Sequence, residues 1–368
     1  MTDLDLLYTD IEEDLRASVH DLLTDRCDPT AVTALYDGDR SLVEPLWKAL
    51  AADLGLAGLL VPEELGGAGA SAREAAVVLE ELGRAAAPVP FLTSAVIATT
   101  ALLGVDTAAG SELLAGLAAG ERTASLAVSL ATAPFGPLPA VEVDRRGRLT
   151  GAIASVAGAL DADVLLVPAS TAAGGGLGLF AVDATNARLA PVTSLDMTRQ
   201  LCDVSLDGVE GDLVVSDAEP AIRGALEAGA ALLASEQLGV ARWCLEETVA
   251  YLRERRQFGR PVGGFQALKH RLADLYTGVE SAAAAARYAA ATLAAADPDL
   301  PVATSVAQAF CSDLAVTAAE EAVQLHGGIG MTWEYPAHLY LKRAKADQIS
   351  LGTAGAHRSR LAALVDLP

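Results

Sequence analysis

The chain has 368 residues, 52% of them hydrophobic and only 4% aromatic, and a formal net charge of -22. That length supports two or three domains around a large aliphatic core. The charge repels nucleic-acid phosphates and excludes that class of partner, and it makes any anionic ligand depend on local arginines or helix N-termini.

No stretch approaches the roughly 20 uninterrupted apolar residues of a membrane span, and the start, Met1 to Asp5, is acidic where a signal peptide is basic. The expectation is a cytoplasmic protein without membrane association. Cys27, Cys202, Cys244 and Cys311 are scattered without Cys-x-x-Cys spacing, which predicts reduced, buried thiols and no metal site.

Taken in order, the first segment is helical. Thr9 and Glu12 form a candidate capping box, and Ile11, Leu15, Val19 and Leu22 follow at helical steps. Leu42, Leu46, Leu50 and Leu54 mark a second helix; Ser71 with Glu74 opens a third carrying Val78, Leu79 and Leu82, and Pro88 and Pro90 end the pattern. Between them Gly67-Ala68-Gly69-Ala70-Ser71-Ala72 matches a dinucleotide fingerprint, but Pro62-Glu63-Glu64 stands where a strand is needed, so it reads as a helix-connecting loop.

From about Glu121 the period changes to two. Ala124, Leu126, Val128 and Leu130 alternate, Val164 to Val167 is a buried-type run, and Leu177 with Leu179 alternates again. Asp144 to Gly147, Gly174 to Gly176 and Asp207-Gly208 supply turns. Helices return at about Glu219. Leu238, Leu245, Val249 and Leu252 give one apolar face; Phe265, Leu268, Leu272, Leu275 and Val279 a second; Val306, Phe310 and Leu314 a third; Leu339 to Ile349 a fourth. The fold class is α+β, with a helical domain over 1–120, a β domain over 121–217 and a four-helix bundle over 218–368.

Two stretches carry chemistry. Arg255, Gln257, Phe258 and Gly259 put an arginine and an amide beside an aromatic at a helix end, a set that can hold a phosphate and pack a flat ring; the plain alternative is a basic helix end favourable to the helix dipole. Gln324-Leu325-His326-Gly327-Gly328 places two glycines after an amide, so backbone N–H groups can face a phosphate; the alternative is a helix break with an ordinary histidine.

These two stretches, with Leu351-Gly352-Thr353 and the phrase from Trp47 through Val61-Pro62-Glu63-Glu64 to Glu80-Glu81-Leu82-Gly83-Arg84, resemble the acyl-CoA dehydrogenase family. These are flavoproteins that desaturate acyl-CoA thioesters, and the α, β, α order is also theirs. The resemblance implies FAD as cofactor and assigns Arg255, Gln257, Phe258, Gln266, Gln324, Gly327 and Gly328 to the adenosine and pyrophosphate side of a flavin held mainly by a neighbouring subunit. Thr353 matches a further cofactor contact. An electron-transfer flavoprotein is the acceptor the family implies.

The reactive end departs from the family. Its reaction takes a proton from the carbon alpha to the thioester, which requires a placed carboxylate. Leu351 stands where the family commonly has glutamate, and the other family location for the base falls on Gly229, followed by Ala230 and not by arginine. Ser129-Leu130-Ala131-Thr132-Ala133-Pro134-Phe135-Gly136-Pro137 replaces the flavin-covering Thr-Glu-Pro-Gly-Ala-Gly-Ser-Asp, Ser155-Val156-Ala157-Gly158 replaces Trp-Ile-Thr, and Gly355 replaces a glutamine. No catalytic residue is assigned. The pattern is similar to the non-catalytic subunits of actinobacterial heterotetrameric acyl-CoA dehydrogenases, where a partner subunit holds the acyl-CoA and supplies the base. Two alternatives stay open: an active homo-oligomer using Glu236, Glu227 or Asp347 as base, and a flavin-free structural homologue.

Overall fold

Thr9 caps the first helix, α1 (Asp10–Arg26), by accepting from Glu12 N–H at 3.2 Å while Glu12 accepts from Thr9 N–H at 2.6 Å, the capping box expected from sequence. The computed structural model describes residues 4–105, 107–170 and 176–367, so Gly174 and Gly175 of the expected turn lie outside the described residues, as do Met1 to Asp3. In α1 the inward face is Glu12, Val19 and Leu23; Ile11 points to solvent, because the buried Glu12 must meet Arg73 and turns the helix accordingly.

Two short helices follow, α2 (Pro29–Ala34) and α3 (Val43–Lys48), the latter running into a wide π-type turn over Ala49–Asp53. The spaced leucines thus belong to α3 and its continuation, whereas α2, six residues long, has too few periods to be read. The glycines of the fingerprint-like stretch form the loop before α4 (Ala72–Arg84), capped by Ser71 and Glu74. A π-type helix Phe91–Ala98 then passes into α5 (Thr99–Leu102), and α6 (Ala108–Ala118) closes the segment.

The strands are β1 (Ala124–Leu126), β2 (Val141–Val143), β3 (Arg148–Ala157), β4 (Val164–Ser170), β5 (Gly178–Asp183), β6 (Arg188–Val192), β7 (Leu201–Glu210) and β8 (Asp212–Val215). They form one sheet in the order β6-β7-β3-β2-β4-β5-β8, with β1 beside β4. Pairings of β4 with β1 and β2 are parallel and the rest antiparallel. Strand β4 reads as an unbroken apolar run because both its faces are covered: Val164 and Leu166 join the helical core, while Leu165 and Val167 join the β core with Leu149, Val182 and Val204. Asp207-Gly208 is not a turn between strands. Gly208, at φ +64, is the extra residue of a bulge inside β7, where Leu149 faces Val209 and Thr150 faces Asp207.

The C-terminal part holds α7 (Ala218–Glu254), α8 (Gln266–Ala294), α9 (Leu300–His326), α10 (Ala337–Ile349) and a fifth, shorter helix, α11 (Ala354–Leu364). Helix α7 crosses α4 at two glycines: a Cβ on Gly83 would meet Glu236 O at 2.2 Å, and one on Gly239 would meet Glu80 O at 2.0 Å. Only hydrogen side chains allow backbones this close. Helix α9 turns alanines inward (Ala303, Ala307, Ala315, Ala318, Ala322), leaving Val306 and Phe310 exposed, the reverse of the expected apolar face. Among the described residues one stretch, Leu300–Met331, has the length and hydropathy of a membrane span, but 67% of its apolar 18-residue window is buried inside this bundle.

Candidate functional site

Helix α7 ends at Glu254, and the chain turns back through a two-strand hairpin, β9 (Arg256–Gln257) against β10 (Arg260–Pro261). Phe258 and Gly259 make the turn with φ of +53 and +76, the double positive of a two-residue hairpin where Asn-Gly is the usual choice. A phenylalanine there is strained, and its side chain is 90% exposed. Its one ring neighbour among the described residues is Phe265, edge-on with centroids 6.1 Å apart, so local propensity does not account for a phenylalanine at this turn.

Arg255, Gln257 and Gln266 are exposed around the same hairpin, with Gln266 the first residue of α8. Val262 N–H donates to Arg255 O at 2.7 Å, and the Arg260 guanidinium lies 3.9 Å from the Phe265 ring, so the hairpin has a defined shape. Ion pairs to Arg253, Arg255, Arg256 and Arg260 are absent among the described residues.

Helix α9 ends beside it. Tyr251, one turn before Arg255, packs on His326 with ring centroids 4.4 Å apart and donates from its hydroxyl to His326 O at 3.4 Å. Gly327 follows at φ +64 and ψ -137, a conformation only glycine adopts easily. Gly327 and Gly328 are exposed, and a Cβ on either would meet nothing within 4 Å, so packing in this chain leaves room at both. Gln324 is exposed one turn earlier.

Seven of the eight sequence-predicted residues therefore gather at one end of the bundle, and Thr353 does not. It caps α11, accepting from Ala356 N–H at 3.2 Å. That helix meets α9 through Arg358 and Asp313, and the 14 residues from Asp313 to Gly327 span roughly 20 Å at 1.5 Å each.

Thr353 belongs to a second region. Leu351, 1% exposed and at φ +54, donates from its N–H to Leu130 O at 2.7 Å. Around it Thr93, Ile97, Val128 and Leu226 leave a void of only about 20 Å³. A Cβ on Gly229 would lie 2.8 Å from Ile97 Cγ1 and 3.3 Å from Leu351 Cδ1. Both positions at which the resemblance expects a base are thus in mutual contact and apolar.

The nearby carboxylates are ion-paired, although Asp347 Oδ2 and Asp196 Oδ2 are buried without a hydrogen-bond partner among the described residues. Arg199 reaches Glu236 at 2.5 and 2.6 Å and Asp347 at 2.5 Å, while Arg343 pairs with Glu236 at 3.2 Å and Asp196 at 3.4 Å. Burial pushes the Asp347 carboxyl up to about 7, against the pull of Arg199. Glu227 is held bidentate by Arg360 at 2.8 and 3.0 Å. Sequence reasoning missed Asp196, Arg199 and Arg343, which sit in a loop and a helix without any motif to single them out.

The segments replacing the flavin cover do meet: Leu130 N–H donates to Ser155 O at 3.0 Å, and Ser129 bridges Val156. With Ile349 and Ser350 they line a cavity of about 250 Å³ that also borders Asp196 and Arg199. The hairpin end suits a nucleotide diphosphate by its guanidiniums without ion pairs among the described residues, its exposed amides and its exposed ring, with open space beside the diglycine, where Gly327 N–H itself donates to Gln324 O. The Leu351 region does not suit a proton-abstracting centre.

The acyl-CoA dehydrogenase N-terminal domain model matches residues 9–121 and the acyl-CoA dehydrogenase C-terminal domain model residues 220–365. The chain is 38% identical over 332 residues to acyl-CoA dehydrogenase IpdE2 of Mycobacterium tuberculosis, covering 90% of this chain and 89% of that protein. Among solved structures it is similar to the Tcur3481-Tcur3483 steroid ACAD G363A variant (32% identity, TM-score 0.83, covering 97% and 98% of the two chains). It is also similar to the ChsE4-ChsE5 complex from M. tuberculosis (27% identity, TM-score 0.86, covering 99% and 100%). On its sequence, from the first helix to the last, this chain belongs to the acyl-CoA dehydrogenase family.

Proposed function

We propose that this chain is the non-catalytic subunit of a heteromeric, FAD-dependent acyl-CoA dehydrogenase, completing a flavin site carried mainly by a partner chain. The observation that carries this reading is the contact of Leu351 with Gly229: no carboxylate stands where the alpha proton would be taken. FAD, when bound, supplies the hydride acceptor for the desaturation. Arg255, Gln257, Phe258 and Gln266, with the Gln324–Gly328 turn, would hold its adenosine diphosphate half, and the partner would supply base, flavin-ring pocket and acyl-CoA site. Thr353, far from that cluster, would contribute only if the partner's cofactor reached this chain's own β domain.

The similar ChsE4-ChsE5 complex, and the similar steroid ACAD named for two proteins, Tcur3481 and Tcur3483, support a partnered assembly. The steroid enzyme among them makes bulky, steroid-derived acyl-CoA thioesters the first substrates to test, with an electron-transfer flavoprotein as acceptor. A second reading, a homo-oligomer holding its own flavin ring, is favoured only by the 250 Å³ cavity beside Ser129 and Ser155. Flavin absorbance per mole of chain separates the readings. One flavin per pair after co-expression with a partner dehydrogenase, and none when purified alone, supports the partnered subunit; one flavin per chain when purified alone overturns it.

A further inference from the structure

Beneath the diglycine turn lies a hydrogen-bonded chain that the site residues do not include. His326 is 3% exposed, the last residue of α9. Its Nδ1 is 2.6 Å from Ala322 O and its Nε2 is 2.9 Å from Tyr335 Oη, which in turn donates to Glu247 Oε1 at 2.6 Å. A backbone carbonyl only accepts, so Nδ1 carries a proton. Tyr335 has one hydroxyl proton; given to Glu247, it leaves its oxygen to accept, and Nε2 must then be protonated too. The alternative is a neutral imidazole whose Nε2 accepts from Tyr335, with the extra proton between Tyr335 and Glu247.

We propose that Glu247, Tyr335 and His326 hold a proton as an imidazolium–carboxylate pair bridged by the tyrosine, placing positive charge directly under Gly327 and Gly328 for a diphosphate bound there. This rests on the proposed function for the identity of the ligand, though not for the charge of the histidine. The need is electrostatic. A helix C-terminus carries partial negative charge and repels an anion, and a cation in its last turn offsets that by about 0.3–1 kcal/mol at ordinary exposure. Helix α9 ends at this turn, and His326 is its only basic residue there.

The groups facing His326 are Glu247 and Tyr251 from α7 and Tyr335 from the segment after the turn; Cys244 of α7 lies near Tyr335. Burial is the largest influence and holds the imidazole below its ordinary value, with the Ala322 carbonyl and Glu247 pulling the other way; the case for the charged form is the hydrogen-bond geometry, in which both ring nitrogens face acceptors. Tyr335 and Glu247 are therefore positioning residues, acting on the turn through His326.

The test uses the whole chain with ¹⁵N-labelled histidine and glycine, His326 being assigned by loss of its signals in His326→Gln, and Gly327 and Gly328 by Gly327→Ala and Gly328→Ala. Both ring nitrogens are expected in the protonated form at neutral pH, and Glu247→Gln or Tyr335→Phe is expected to convert the ring to the neutral Nδ1–H tautomer. Titration with inorganic pyrophosphate should shift the Gly327 and Gly328 amide signals, with affinity lowered about two- to fivefold in either variant. A neutral His326 in the parent chain overturns the proposal, as does unchanged pyrophosphate affinity in both variants. Absence of flavin from every co-purified complex would count against the proposed function alone, since neither readout here contains flavin.

Discussion

Gly229 and Leu351 are neighbours across the junction of α7 and the segment before α11: a Cβ on the glycine would stand 3.3 Å from Leu351 Cδ1. Each fills space that a base at the other's position would need. Restoring a carboxylate with Leu351→Glu is expected to lower stability by about 2–4 kcal/mol, from lost packing and burial of a polar group beside Ile97 and Leu226. It is expected to confer no acyl-CoA oxidation on the isolated chain. Urea unfolding and dye reduction with an acyl-CoA substrate read the two parts, and turnover by the variant would contradict the partnered assignment.

Arg199→Ala is expected to cost about 3–5 kcal/mol, because it leaves Glu236 and Asp347 buried without their shared guanidinium. Equilibrium unfolding of parent and variant measures this directly. A loss under about 1 kcal/mol would mean that the cluster rearranges around Arg343.

The same cluster sets a pH dependence. The Asp347 carboxyl is raised in the folded state to about 7 from 3.8. A raised acid binds its proton more tightly when folded, so its contribution is complete below about pH 4 and is lost as pH climbs to 7. Melting temperature is therefore expected to fall from pH 5 to pH 7.5, and Asp347→Asn to flatten that slope. Glu12 and Asp313, whose carboxyls are depressed by Arg73 and Arg358 hydrogen bonds against burial, act oppositely and weaken the fold only in acid.

Phe258→Ala and Arg255→Ala change exposed side chains, so the isolated chain should keep its stability within about 0.5 kcal/mol. Flavin retained by the co-purified complex should nevertheless fall, about tenfold or more for Arg255, the scale of a lost charge-assisted hydrogen bond. Equal retention in both variants would remove the hairpin from the cofactor site.

All four cysteines are buried, and burial raises the thiols of Cys27 and Cys311 to about 12 and of Cys202 to about 11. A chromogenic thiol reagent is expected to find no fast-reacting group in the native chain and four on unfolding.

Capping signals and periodicity made much of this architecture legible. The alternation from Ala124 to Leu130 yields only the three-residue strand Ala124–Leu126, buried on both faces, whereas Thr9 with Glu12 and Ser71 with Glu74 are local rules that tertiary packing left in force. Local rules failed where packing overrode them. Helix α9 buries alanines so that α7 and α8 can approach, which turns Phe310 outward, and the Asp207-Gly208 pair bends a strand where its composition suggests a turn. At the candidate site the glycines and arginines could be read as a set only through the family resemblance, because a basic helix end and a diglycine helix break are each ordinary on their own. The Asp196–Arg199–Glu236–Arg343–Asp347 cluster could not, since its members come from three distant segments and no spacing records their meeting.

The residues from Arg253 to Arg271 include six arginines and lysines and a single acid, in a chain whose net charge is -22. The folded chain is thus acidic in net charge with a locally basic hairpin. In the field of an anionic surface such a hairpin is the segment attracted, so association through it should be fast at low salt and slow as ions screen it, with the Debye length near 10 Å at 0.1 M. The hairpin would then govern how quickly the chain finds its counterpart, apart from how tightly it holds on.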